Sequence, residues 1–333
     1  MSPTTRITDN PPSASDIADA AELIRRGGIV VFPTETVYGL GAHAGDDRAC
    51  RRIFETKERP ADNPLIVHVA AVEMISGVVA ELPERALELF RTCSPGPLSV
   101  VLPVGDGVAP FVTAGHATVA VRIPSHPVAQ SFLRACAVPV AAPSANRSGR
   151  PSPTTAAMVY RDLAGRVPLI LDGGPCIHGV ESTVLAVTAG GAITIYREGA
   201  VTREMIRAAL GTEVDFVDPT GRPMTPAPSP GTRHAHYRPG ARVVVVEASE
   251  VSAALAEAPR DVGVTSILFA QNPPAPENVH AVHMPDLASY AYGLYRALVD
   301  ADDRGDRLII AELPPPEGIG RAVRDRLLRA AGR

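Results

Sequence analysis

The chain has 333 residues, a length that suits two domains better than one small core. Its hydrophobic content is 45% and its charged content 20%, the balance of a globular protein. A net charge of −4, an aromatic share of 4% and the absence of Trp argue against a surface devoted to nucleic acid, where stacking rings and basic patches do the binding.

The four cysteines, Cys50, Cys93, Cys136 and Cys176, lie far apart and form no C-x-x-C pair. Zinc and thioredoxin-like readings fail on that spacing, which leaves packing thiols in a reducing compartment. Met1 to Ser15 is polar and contains prolines but no apolar leader core, and no run of about 18 apolar residues follows anywhere. The expectation is a cytoplasmic protein without a membrane span.

In chain order, residues 1–15 read as a flexible N-terminus. Asp16 to Arg26 has Ile17, Ala20, Leu23 and Ile24 at helical spacing and stops at Gly27-Gly28. Ile29 to Phe32 reads as a buried strand, and the segment Thr34 to Gly41 then lies where open α/β sheets place ligands. A second helix spans Asp46 to Glu58 with Cys50, Ile53 and Phe54 inward. Pro60 disfavours helical geometry at Arg59, so Lys57 ends the helix and Arg59 leaves it extended.

Leu65 to Val69 is a short strand carrying His68. Thr118 to Ile123 alternates cleanly, with Thr118, Ala120 and Arg122 on one face and Val119, Val121 and Ile123 on the other. Thr118 and Arg122 then stand roughly 13 Å apart on one face, too far for one compact anion and suited to a long ligand. Strands follow at 138–142, 169–172, 182–187 and 192–196, and a helix at 202–210. Prolines punctuate residues 215–240 as a linker. Beyond it, 242–247, 287–299, 307–313 and 320–330 alternate strand, helix, strand, helix, which suggests a small α/β domain over 241–333.

Two constellations carry chemistry. Lys57-Glu58-Arg59-Pro60 supplies a point charge and a planar fork, the cations that a polyphosphate needs. Pro143-Ser144-Ala145-Asn146-Arg147-Ser148-Gly149 supplies hydroxyls and an amide in a tight loop. Taken singly, the first is also an ordinary solvated helix end and the second an ordinary turn. Arg122, among buried neighbours, requires a carboxylate or phosphate, and an internal Asp or Glu would serve as well as a ligand. His68 alone reads as a satisfied core histidine. No dinucleotide fingerprint, P-loop, H-E-x-x-H or G-x-S-x-G is present.

Taken together, Pro33 to Leu40, Lys57 to Pro60, Asn63 to His68 and Ser144-Ala145-Asn146 resemble the threonylcarbamoyl-AMP synthase family. Ser182-Thr183-Val184 and Arg197-Glu198-Gly199-Ala200 continue the match, and Ser229 to Pro239 is similar to the linker of the longer, two-domain branch. The resemblance implies a YrdC-like twisted open mixed sheet with flanking helices over 16–214, plus a smaller C-terminal α/β Rossmann-like domain. It implies that L-threonine, bicarbonate and magnesium-bound ATP become L-threonylcarbamoyl-AMP and pyrophosphate, and that a separate transferase passes the group to tRNA. Thr36, His68, Arg122, Ala142 and Ser182 would hold threonine. Lys57, Arg59, Asn63, Thr118, Ser144, Asn146, Ser152, Arg197, His234 and Tyr237 would hold ATP, with Lys57 and Arg59 offsetting the charge of the leaving phosphates. No metal ligand is expected among the side chains.

The proline content of the linker around His234 to Tyr237 suits a stiff flap, and the expectation is that it closes over the cleft. Two residues depart from the pattern: Glu58 stands where glycine is frequent, and Ala186 where an acidic residue is common. Two other readings stay open, an RNA-binding module and a carbamoyl-transferring relative. The arginines of the last helix, Arg321, Arg324, Arg326, Arg329 and Arg333, read as a solvated face or a weak tRNA contact.

Overall fold

Ser13 decides where the first helix begins. Its hydroxyl accepts from the Asp16 N–H at 3.1 Å and the Asp16 carboxylate accepts from the Ser13 N–H at 3.0 Å, a reciprocal capping box. Helix α1 (Ala14–Arg25) therefore starts two residues ahead of the sequence reading and buries Ala20, Ala21 and Ile24. The computed structural model describes residues 4–187, 192–211, 216–217, 237–269 and 273–332. The N-terminus expected to be flexible is tied down from Thr5 onward. Arg6–Ile7 forms strand β1 parallel to Leu169–Ile170, and the Thr5 hydroxyl donates to the Val167 carbonyl at 2.6 Å.

The chain divides into two compact units. The first comprises Met1–Ser148, Pro153–Ile177 and Glu181–Arg233, and the second Gly149–Ser152, His178–Val180 and His234–Arg333. In the first unit the further strands are β2 (Val30–Phe32), β3 (Gly39–His43), β4 (Ile66–His68), β5 (Leu98–Pro103), β6 (Thr118–Arg122), β7 (Val140–Ala142), β8 (Leu169–Ile170), β9 (Thr183–Val187), β10 (Ile193–Arg197) and β11 (Phe216–Val217). They form one mixed sheet in the order β1-β8-β2-β3-β7-β4-β6-β5-β9-β10-β11. Helices α2 (Asp47–Lys57), α3 (Glu84–Cys93), α4 (Pro110–Thr113), α5 (Pro127–Cys136), α6 (Ala156–Leu163) and α7 (Arg203–Leu210) flank it.

The alternation read in β6 is realised. Val119, Val121 and Ile123 enter the main core with Leu40, Val67, Val100 and Leu185, where Ile53 and Phe54 of α2 and Leu89 and Phe90 of α3 cover them. Each such side chain contributes about 1.5–3 kcal/mol by burial. Another cluster packs Val30, Phe32 and Val140 against Ile24 of α1 and Phe132 of α5. The other face of β6 holds only a small apolar group, Ile66, Val101, Ala120 and Val184. That scarcity leaves the neighbouring positions on this face to polar side chains. Three cysteines, Cys50, Cys136 and Cys176, are buried and unbonded, and burial pushes the Cys50 thiol up to about 12.

The second unit has a fully parallel sheet, β12 (Arg242–Val246), β13 (Val264–Phe269), β14 (Val279–Met284) and β15 (Leu308–Glu312), in the order β12-β15-β13-β14. Helices α8 (Val251–Ala256), α9 (Leu287–Arg304) and α10 (Gly320–Ala330) connect it, the arrangement of a small Rossmann-like domain. Helix α9 runs past Val299 because the Arg296–Asp300 ion pair at i,i+4 extends its polar face and Gly305, at φ 75°, closes it. Among the described residues no helix is long and apolar enough to cross a membrane.

Candidate active site

Sheet register assembles the first group of expected site residues. His68 pairs with Arg122 across β4 and β6, and Arg122 pairs with Ser99 across β6 and β5. These three side chains form a polar row at the carboxyl ends of the parallel strands β4 and β6, on the face opposite the main core. Ser99 Oγ lies 2.9 Å from Ser182 Oγ, which extends the row to the residue before β9. Ala142, paired with Ile66, lies buried on the same face.

The loop after β2 closes over this row. The Thr34 hydroxyl donates to the Val37 carbonyl at 2.7 Å and accepts from the Thr36 and Val37 N–H groups. That turn aims Glu35 and Thr36 at Arg122. The Arg122 guanidinium, 4% exposed, donates to Glu35 Oε1 at 2.6 Å and to Thr36 Oγ1 at 2.9 Å. Glu35, 1% exposed, also accepts from the Ser125 N–H at 3.0 Å. Burial alone would raise the Glu35 pKa, but the charge and hydrogen bond of Arg122, with backbone donors, hold it below the usual carboxylate value. The internal carboxylate that sequence left open is therefore Glu35, a residue not singled out as a ligand group.

Arg122 keeps binding capacity nonetheless. Its Nε is buried with no hydrogen-bond partner in the protein. His68 stands beside it as a neutral imidazole: burial, then the Arg122 charge, lower its pKa to about 3. Its Nδ1 lies 3.1 Å from the Ile66 carbonyl and its ring meets Phe32 edge-on.

The second group of expected site residues grows from α2. Its buried positions, Ala49, Cys50, Ile53, Phe54 and Lys57, form a helical stripe, so Lys57 falls on the apolar face at the last turn. Lys57 Nζ donates to the carbonyls of Ser144, at 2.6 Å, and Asn146. Glu58 follows in the left-handed region at φ 56°, which explains why glycine suits that position. Its carboxylate is exposed and pairs with Arg147 at 2.8 Å and Arg166 at 2.9 Å. Those two cations take up its charge.

Arg59 leaves the helix half-buried, donating to the carbonyls of Asn63 and Pro64. Asn63 Nδ2 is a second buried donor with no partner in the protein. Ser144 Oγ donates to Asn146 Oδ1 at 2.5 Å, which fixes the carboxamide. Unpaired buried donors are rare in folded proteins, and here two belong to groups expected to meet ligand.

Two links join the groups. The Ala145 N–H donates to the Tyr38 carbonyl at 2.8 Å, and Gly39 bridges Ser144, so the loop that holds Thr36 also holds Ser144. Arg197, expected at ATP, donates to the Ser182 hydroxyl at 3.0 Å and to its carbonyl at 3.1 Å, although Ser182 was expected at threonine. Main-chain hydrogen bonds and side-chain contacts thus link Lys57 to Arg122. Thr118, half-buried, opens the same face of β6 four residues before Arg122. Ala186 pairs with Val101 and packs beside the small apolar group, a place where its methyl fits.

This geometry agrees with what known proteins show. The family model described as "Telomere recombination" (Sua5, YciO and YrdC) matches residues 22–199, and "Threonylcarbamoyl-AMP synthase, C-terminal domain" matches 201–332. The threonylcarbamoyl-AMP synthase of Bacillus subtilis is 40% identical over 99% of this chain and 96% of its own. The chain belongs to the threonylcarbamoyl-AMP synthase family. The Pyrococcus abyssi member is also 40% identical, over 94% of this chain and 93% of its own. A crystal structure of P. abyssi Sua5 complexed with L-threonine superposes with a TM-score of 0.89 at 38% identity, covering 98% of this chain and 97% of that one.

Within this family frame, two expected ATP contacts, Ser152 and Tyr237, group with the second unit. Ser152 is buried in a segment that groups with the second unit. Tyr237 also belongs there, at φ 65°, with its ring stacked on Tyr295 at 5.4 Å and the Arg326 guanidinium 5.5 Å away. His234, and with it most of the expected flap, lies outside the described residues. Sequence reasoning missed Glu35 and Ser99. Glu35 sits inside a motif that had been noted, but its partner is 87 positions away, and nothing local marks Ser99.

Proposed function

We propose that this protein is an L-threonylcarbamoyladenylate synthase, joining L-threonine, bicarbonate and ATP and releasing pyrophosphate, in the service of threonylcarbamoyladenosine formation on tRNA. The observation that supports it best is the continuous polar set from Arg122 to Ser144, carried by one face of the sheet and two touching loops. An amino-acid carboxylate at Arg122 Nε and a nucleotide along Arg59, Asn63, Thr118, Ser144, Asn146 and Arg197 would lie end to end in it.

The threonine amine adds to bicarbonate carbon and water departs, giving a carbamate. A carbamate oxygen then attacks the α-phosphorus as the bond to the β-phosphate oxygen breaks, and pyrophosphate leaves. Such a carbamate decomposes in water, so a buried site preserves it, and co-localisation replaces a three-body encounter. His68, neutral through burial, receives the amino acid without adding charge beside Arg122. Among the described residues no group of three or more His, Cys, Asp or Glu side chains is arranged to hold a metal ion. Magnesium belongs, in this reading, to the substrate MgATP, where it would reduce the charge of the triphosphate.

Cytoplasmic residence and delivery of the adenylate to a separate transferase are part of the same proposal. An RNA-binding role has less support. Arg324 donates to Glu247 and to the Pro314 carbonyl, Arg329 pairs with Asp325, and Arg326 is buried. The deciding experiment mixes protein, MgATP, bicarbonate and threonine and follows pyrophosphate. Release that depends on threonine supports the synthase; release that ignores threonine points to a different carbamoyl-transferring relative.

A further inference from the structure

We infer that Lys57 is a positioning residue that braces the nucleotide loop 143–148 from behind, and that the phosphates are contacted by Arg59 and the loop itself. The inference rests on the synthase reading above and divides the labour within its two-cation segment. Lys57 is 1% exposed and continues the stripe of Cys50, Ile53 and Phe54, so its side chain runs inside the protein and not along its surface. Its Nζ donates to the carbonyls of Ser144 and Asn146, and its own carbonyl accepts from the Ser148 N–H at 2.9 Å. Three hydrogen bonds from one residue therefore reach three members of the loop, Ser144, Asn146 and Ser148.

The loop needs that support. The Ser144 hydroxyl donates to the Asn146 carboxamide at 2.5 Å, and that carboxamide donates to the Arg147 carbonyl at 2.7 Å. The carbonyls of those same two residues point inward, where a buried acceptor without a donor costs about 1–3 kcal/mol. Lys57 supplies both donors. Burial first, and the nearby Arg59 charge second, push the Lys57 pKa well down, against the pull of Asp162. Arg59 differs in every respect: it is half-buried, lies beyond the helix end, and carries a permanent charge.

Nucleotide affinities of Lys57→Met test this, because a brace and a phosphate ligand respond differently to phosphate number. AMP, ATP and L-threonine are titrated by calorimetry into wild type and into variant whose folding is verified by thermal melt. Bracing predicts that AMP and ATP weaken by the same factor, about 10–30-fold, while threonine affinity stays within twofold. A loss for ATP exceeding that for AMP by tenfold would overturn the inference, as would no loss for either. Lys57→Gln, whose shorter side chain keeps amide N–H donors, carries the same comparison if the Met variant does not fold. Because binding is read without turnover, failure here is separable from failure of the synthase reading, which threonine-dependent pyrophosphate release decides.

Discussion

The amino-acid end of the site and its nucleotide end solve one problem, holding charge in a dry interior, with different materials. At the first, His68, Arg122 and Ser99 stand side by side on paired strands, and a second ionised group, Glu35, neutralises the cation. At the second, Ser144 and Asn146 stand on a loop, and a buried lysine bonded to main-chain carbonyls holds them. The difference shows which perturbations each end resists. Register fixes the strand-borne row regardless of its neighbours, but its ion pair fails if either partner goes. The loop's ion pair, Arg147 with Glu58, is exposed and contributes little, and the Ser144 and Asn146 carbonyls depend on a single side chain behind them.

The largest effect should come from Glu35→Ala, which leaves Arg122 buried and uncompensated. Equilibrium urea unfolding should show a loss of about 3–5 kcal/mol, and a loss below about 1 kcal/mol would dissolve the contrast between the ends. Next is pH. The His68 pKa falls from an ordinary 6.5 to about 3 on folding, so between those values the unfolded chain binds a proton that the folded chain does not. Stability should therefore decline as pH drops from 6.5 toward 3. Glu35, whose folded pKa is lowered, adds to the decline as pH passes through it. His68→Gln should flatten the profile by about 2–4 kcal/mol across that interval.

Arg122→Gln removes a charge-assisted contact of about 1.5–3 kcal/mol, so threonine kcat/KM should fall about 10–150-fold with ATP KM nearly unchanged. An equal rise in both Michaelis constants would mean that the ends are not separable. Ser99→Ala deletes only the hydroxyl bridge to Ser182 and should raise threonine KM about 2–10-fold. Smallest of all is Glu58→Gly, which relaxes the left-handed backbone but loses two exposed ion pairs. Its melting temperature should move by less than about 3 °C, with nucleotide affinity unaltered.

Periodic segments were the legible ones. Helix α2 and strand β6 announce themselves because one face of each is continuously apolar, and Lys57 and Arg122 are found by asking which residues interrupt or terminate those faces. Strand β3 was not legible, since Gly39-Leu40-Gly41 has the look of a turn. The glycine at 41 answers a packing need instead: a Cβ there would meet Val140 Cγ1 at 2.7 Å and Phe32 at 3.0 Å. Strand β13 was hidden in the same way by Thr265 and Ser266 at its centre, both buried. Glu35 and Ser99 acquire roles only through partners more than 80 positions distant, at Arg122 and Ser182, and no local pattern encodes that.

Strand β6 also constrains how this gene can drift. Because its two faces serve the oily interior and the polar row respectively, inserting or deleting one codon between Thr118 and Arg122 would exchange them, driving the guanidinium into hydrocarbon and a valine into the polar row. Point changes along those five residues are graded and survivable, whereas a change in their number is not.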